Sequence, residues 1–191
     1  MPHIPLPEHL PGITGLLEYR LDTALPIREL TQLLLRGEST LSQGERELIA
    51  ALVSSRNKTP FCSAAHAKAA DLLLGDPAVT EAAVRDPETA PVSEKMKALL
   101  QIAALTQQSG RAVTPEAVAR ARQAGATDRE IHDTVLIAAL FCLYNKYVDG
   151  LATALPADPA YYDTLGDRIV HRGYTRPPGG YPAPKPVAAS E

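Results

Sequence analysis

The stretch LSQGERELIAALVSSRNKTPFCSAAH, residues 41–66, writes two helices joined by a turn of three residues. Ser42 and Glu45 have the spacing of a capping box, in which hydroxyl and carboxylate each satisfy a backbone amide left without a partner at a helix start. Leu48, Ile49, Leu52 and Val53 then fall on one face, and Arg56-Asn57-Lys58 brings positive charge and a turn former to the end. Thr59-Pro60 restarts the chain at once, because Thr caps well and Pro fits a first helical position that has no amide to lose. The spacing predicts helices over 43–56 and 60–74.

The same stretch carries the reactive groups. With Thr59 as cap, Cys62 is the third residue of its helix, and its sulfur lies near the partial positive charge of the helix start, which favours thiolate. His66 follows one turn later on the same face, where an imidazole takes the thiol proton or accompanies the thiolate. Folding the chain about Lys58 sets Glu47 eleven residues back and His66 eight forward. The mismatch is roughly one helical turn at about 1.5 Å rise per residue, which a Glu side chain spans. Glu47 is then placed to orient the ring and raise its basicity. Each position also has a plainer reading. A Cys is often a small buried hydrophobe, a first-turn Glu is favoured by the helix dipole, and Cys142 lies in an apolar run. Glu47, Cys62 and His66 fall short of a four-ligand structural zinc site, and no metal and no cofactor are expected.

Outward from this core the chain continues in the same idiom. Upstream, residues 1–25 are Pro-rich and read as an extended arm with a short helix near Ile13 to Tyr19, followed by a helix that Pro26 opens and Gly37 stops. Downstream, Gly75-Asp76-Pro77 ends the Cys62 helix, a short alanine-rich helix follows at 78–84, and Ser93 caps another. Thr114-Pro115 opens a short helix, and Thr127 with Glu130 forms a second capping box. The helix that begins there runs to about Thr153 and is apolar nearly all round over two turns, as for a helix buried between neighbours or at a subunit interface. A last short helix spans about 160–170. Residues 171–191 are too rich in Pro and Gly for a packed element and read as a tail that is free or straps a neighbour. An offset of 83 lays Arg46-Glu47-Leu48 on Arg129-Glu130-Ile131, with Asn145 at Cys62 and Asp149 at His66, the pattern of a duplicated helical hairpin whose second copy lacks the reactive groups.

Composition sets the bounds. At 191 residues one domain is the default, taken as 26–170 with the arm 1–25 and the tail 171–191 outside it. Apolar residues make up 45% and aromatics 5%, so the core is built from Leu, Ile, Val and Ala, the palette of an all-α bundle. A net charge of −3 without basic clusters argues against nucleic acid and anionic membranes as partners. The N-terminus lacks the basic and apolar regions of a signal peptide, and two cysteines are too few for a disulfide scaffold, so a cytoplasmic protein is expected.

Residues 41–66, together with Glu130 to Leu151 and its LYNKYVDG ending, resemble the alkylhydroperoxidase D (AhpD) / carboxymuconolactone decarboxylase superfamily, in its peroxidase-related branch. The likeness covers about residues 10–170. It implies an all-helical AhpD-like fold, assembly as a trimer or hexamer, an antioxidant peroxidase activity on a hydroperoxide, and an external thiol as reductant. In peroxidase members a Glu precedes Cys-x-x-Cys-x-x-x-His by eleven residues; Glu47 matches the Glu, Cys62 the second Cys and His66 the His. The chain departs at Thr59, which stands where the first Cys should be, and at Phe61, where some members carry another His. The resemblance therefore implies a one-cysteine hydroperoxide reductase, with Cys142 as a conceivable resolving thiol. The other readings are a decarboxylase-like enzyme acting on a carboxylic acid or lactone through His66 and Glu47, and a non-catalytic oligomeric member of the fold.

Overall fold

The computed structural model describes residues 1–181. Among them the chain forms nine α-helices and no strand: α1 Ile13–Tyr19, α2 Leu21–Arg36, α3 Gln43–Arg56, α4 Pro60–Leu74, α5 Pro77–Arg85, α6 Glu94–Gln108, α7 Pro115–Gln123, α8 Asp128–Gly150 and α9 Tyr161–Arg172. A single 3-10 turn, Gly110–Ala112, follows α6. Both predicted capping boxes are made, Ser42 with Glu45 and Thr127 with Glu130, and Ser93 caps α6 through the Met96 amide.

Three local expectations change. Helix α2 starts at Leu21, so Pro26 lies inside it; the intrahelical bond that Pro26 forgoes would go to the carbonyl of Asp22, an exposed residue at the helix start. Helix α8 is one unbroken rod of 23 residues, so positions 130 and 145 share a helix and no second hairpin exists. The chain after α9 is packed: Tyr174 N–H donates to Gln32 Oε1, and Arg176 pairs with Glu18. The last part of the predicted tail, residues 182–191, lies outside the described residues.

Helices α3 and α4 pack along their length as an antiparallel hairpin. The turn is closed by Thr59 N–H to Ser54 O and Lys58 N–H to Ser55 O, with Lys58 left-handed at φ 58°. That is the Schellman ending of a helix, with Lys in the position glycine usually fills. Two apolar clusters result. The larger gathers Leu48, Ile49, Leu52, Leu99, Ile102, Ile137 and Phe141 from α3, α6 and α8. The smaller gathers Leu16, Phe61, Cys62, Ala65, Val148, Leu165 and Ile169 from α1, α4, α8 and α9. Gly12 lets the arm close on the smaller one: its φ is +59°, and a Cβ there would meet the Phe61 ring at 2.4 Å. Ile13 and Tyr174 touch both clusters and mark the seam where the site lies.

Candidate active site

Glu47 is the anchor. It sits on α3, is 0% exposed, and receives three donors. Arg36 Nη2 donates to Oε1 at 2.6 Å, Tyr174 Oη donates to Oε1 at 2.5 Å, and His66 Nδ1 lies 2.7 Å from Oε2. Burial would push this carboxyl up. The charge and hydrogen bond of His66, with Arg36 and Tyr174, outweigh it and hold Glu47 below its ordinary range, so it is a carboxylate in the dry interior. Arg36 comes from the end of α2 and is equally enclosed, with 6% of its side chain exposed. Tyr174 lies nearly parallel to the His66 ring at 6.1 Å, and its own ionisation is pushed well up by burial and by the Glu47 charge, which keeps it a proton donor.

His66 is thereby fixed. Its Nδ1 side faces Glu47, the edge of one ring meets the face of the other where it packs on Phe141 at 4.4 Å, and Nε2 is the nitrogen left for chemistry. Residue 66 is 8% exposed and borders a cavity of about 60 Å³. A water needs on the order of 10–15 Å³ of such space, so the cavity takes a few waters or the reacting end of a small molecule. Much of its wall is apolar, from Phe61, Ala65, Phe141, Leu165 and Ile169, and Cys62 and His66 both line it.

The structure thus brings Cys62, His66 and Glu47 to one place, with a correction at the sulfur. Cys62 is the third residue of α4 as expected, yet Thr59 makes no capping bond: it is wholly buried, and its hydroxyl donates to Asp149 Oδ2 at 2.5 Å. Cys62 is 3% exposed, and burial pushes its thiol up to about 12; the Asn145 hydrogen bond opposes this and the Asp149 charge adds to it. The resting sulfur is a neutral thiol, because removing it from water costs the thiolate more than the helix start returns. Cys142 is half-buried on α8, takes a hydrogen bond from Asn57 Nδ2 at 3.6 Å, and packs against the larger cluster while Cys62 belongs to the smaller. Neither cysteine is in a disulfide.

Three partners escape sequence reading. Arg36 looks there like a cation at a helix end, and Tyr174 sits in a Pro/Gly-rich segment with no periodic signal. Asn145, 1% exposed, donates to Ser54 Oγ at 3.2 Å and accepts from Asn57 at 2.8 Å. Its traces in the sequence are the offset of 83, which set it opposite Cys62, and its place in the LYNKYVDG ending. Among the described residues no three His, Cys, Asp or Glu side chains gather to hold a metal ion, and no helix is long and apolar enough to cross a membrane.

No family model matches the chain, and no curated protein matches it. Solved structures do. An uncharacterized peroxidase-related protein from Silicibacter sp. TM1040 superposes with a TM-score of 0.71 and 28% identity, covering 77% of each chain. An uncharacterized peroxidase-related protein with an alkylhydroperoxidase AhpD core, from Ralstonia eutropha JMP134, gives a TM-score of 0.72 at 22% identity over 82% of this chain and 80% of its own. The chain has the all-helical AhpD-like, carboxymuconolactone decarboxylase-type fold that its sequence resembles, and the likeness supports a peroxidase-related family.

Proposed function

We propose that the protein is a thiol-dependent hydroperoxide reductase that works with a single cysteine. The observation that carries this reading is the shared cavity: Cys62 and His66 border the same small apolar space, while the far side of the imidazole is held by a fully buried carboxylate. In the proposed step His66 Nε2 takes the Cys62 proton and the sulfur attacks one peroxide oxygen. The O–O bond breaks and its electron pair leaves with the alkoxide, which recovers the proton from His66. The products are an alcohol and Cys62 sulfenic acid, sulfur having given up two electrons. An external thiol then condenses with the sulfenic acid, releasing water, and a second thiol frees Cys62 as thiol and leaves as the disulfide. Since the resting thiol is neutral, the nucleophile exists when His66 holds its proton, and Glu47 stabilises the imidazolium so formed.

Substoichiometric hydroperoxide followed by a sulfenic-acid trap and mass spectrometry tests this. Label on Cys62 is expected, and Cys62→Ser is expected to abolish peroxide consumption. A thiol oxidised no faster than free cysteine overturns the reading. The high proton affinity of Cys62 favours one second reading, in which His66 and Glu47 move protons on a carboxylic acid or lactone and the thiol only shapes the pocket. Under it, Cys62→Ser spares activity. Assembly of this 20.4 kDa chain as a trimer or hexamer belongs to the same proposal, and a monomer mass in sedimentation velocity contradicts it.

A further inference from the structure

The cavity lining holds a second group of polar residues. Beyond Cys62 and His66 its lining includes Arg28, Arg168 and Tyr181, with Leu17 and Ile169 among the apolar walls. Arg28 is 8% exposed, yet its Nε has no partner among the described residues. Its other nitrogens reach Glu18 at 3.3 Å, the Tyr181 hydroxyl at 3.3 Å and the Tyr174 carbonyl at 3.5 Å. Saturated charge-assisted bonds run to about 2.7–2.9 Å, and Arg36 on the same helix shows one at 2.6 Å to Glu47. Glu18, the carboxylate within reach of Arg28, is already gripped by Arg176 at 2.7 and 3.0 Å. Arg168 lies 4.8 Å over the Tyr181 ring, and Arg28 lies 5.7 Å from the same ring. Two guanidiniums therefore flank one phenol at the cavity wall, and the carboxylate that Arg28 reaches is engaged by Arg176.

We infer that this polar group binds the carboxylate of the substrate, with Tyr181 holding its place until it arrives. A buried guanidinium on long bonds is under-satisfied, and a carboxylate offers Arg28 the paired geometry that a phenol hydroxyl does not. The apolar residues that complete the lining match a hydrocarbon body. Resting on the reductase reading, the inference names the substrate class as a small organic acid bearing a hydroperoxide: the acid at Arg28 and Arg168, the peroxide at Cys62 and His66. Tyr181, whose carbonyl accepts from His9 Nε2 at 3.3 Å, has to swing its ring aside for the acid to enter, because the cavity of about 60 Å³ as it stands holds only the reacting end.

The test compares para-carboxybenzyl hydroperoxide with its methyl ester at pH 7, where the acid is ionised. The acid is expected to be preferred by about tenfold or more in kcat/KM, and the preference is expected to fall toward one in Arg168→Gln and in Arg28→Lys, which keeps charge but loses the fork. Equal turnover of acid and ester, or a preference that neither substitution moves, overturns the inference. Turnover of neither compound defeats the reductase reading instead. Calorimetry with para-toluate against para-methylbenzyl alcohol then decides the carboxylate site alone. Toluate binding about tenfold or more tighter, and weakened by Arg168→Gln, supports it; equal binding refutes it.

Discussion

Tyr174 reaches Glu47 from 127 residues away, and its hydroxyl is one of three donors that keep a carboxylate charged in the interior. Tyr174→Phe removes that donor and leaves Arg36 and His66 in place. A hydrogen bond to a charged group contributes about 1.5–3 kcal/mol, so the variant is expected to lose stability in that range, read as a lower urea midpoint at unchanged slope. The neutral Cys62 gives a second prediction at this scale. Its folded-state pKa, about 12, stands above the 9.0 of a thiol exposed in the unfolded chain. Between these two pH values the unfolded state has released the proton and the native state retains it, so stability falls as pH rises from 9 toward 12. Cys62→Ala removes this contribution, and equilibrium unfolding across that window is expected to show a shallower decline. The buried Tyr144, also raised to about 12, maintains part of the slope in both proteins.

Helix α4 shows why a correct boundary does not guarantee a correct cap. Pro60 opens it as predicted, but the Thr59 hydroxyl turns to Asp149 on α8, so the residue joins two helices instead of closing one. Thr59 also occupies the place of the first cysteine in the two-cysteine pattern. Residues three apart at a helix start have Cα atoms within the roughly 4.4–6.8 Å that a disulfide spans. Thr59→Cys is therefore expected to form an intramolecular disulfide with Cys62 under mild oxidation, seen as loss of two hydrogens by mass spectrometry and as loss of thiol reactivity at Cys62. Retention of two free thiols counts against the local geometry described for this turn. The added cysteine would also let a sulfenic acid at Cys62 resolve without external thiol.

At the scale of the molecule, the site is a seam held shut by the N-terminal arm and by the segment from Gly173 to Tyr181. The arm hydrogen-bonds to the segment after α8, through His3 N–H to Leu151 O and Gly12 N–H to Ala154 O. The segment after α9 supplies Tyr174 and Tyr181 and ties Arg176 to Glu18 on α1. Ending the chain after Arg172 deletes one donor to Glu47, one stacking partner of His66 and the roof of the cavity. The truncated protein is expected to keep its helical circular dichroism at 25 °C, to melt at a lower temperature, and to alkylate at Cys62 faster than the full chain. Unchanged alkylation would mean that this segment does not control access to the sulfur.

The helices and the Glu47, Cys62, His66 set were legible because their signals are short-ranged. A capping box closes within four residues, an apolar face repeats every turn, and a three-residue turn brings α3 back along α4 whatever else the chain does. Pro26, the supposed second hairpin and the Thr59 cap were misread where a local preference was overruled by packing or by a helix that runs on. What only the tertiary structure decided is the protonation of the sulfur and the company of the carboxylate. Both depend on α1, α8, α9 and the segment beyond them closing over α4, and the cost of burying a charge is set by everything that excludes water from it, which no local stretch of sequence specifies.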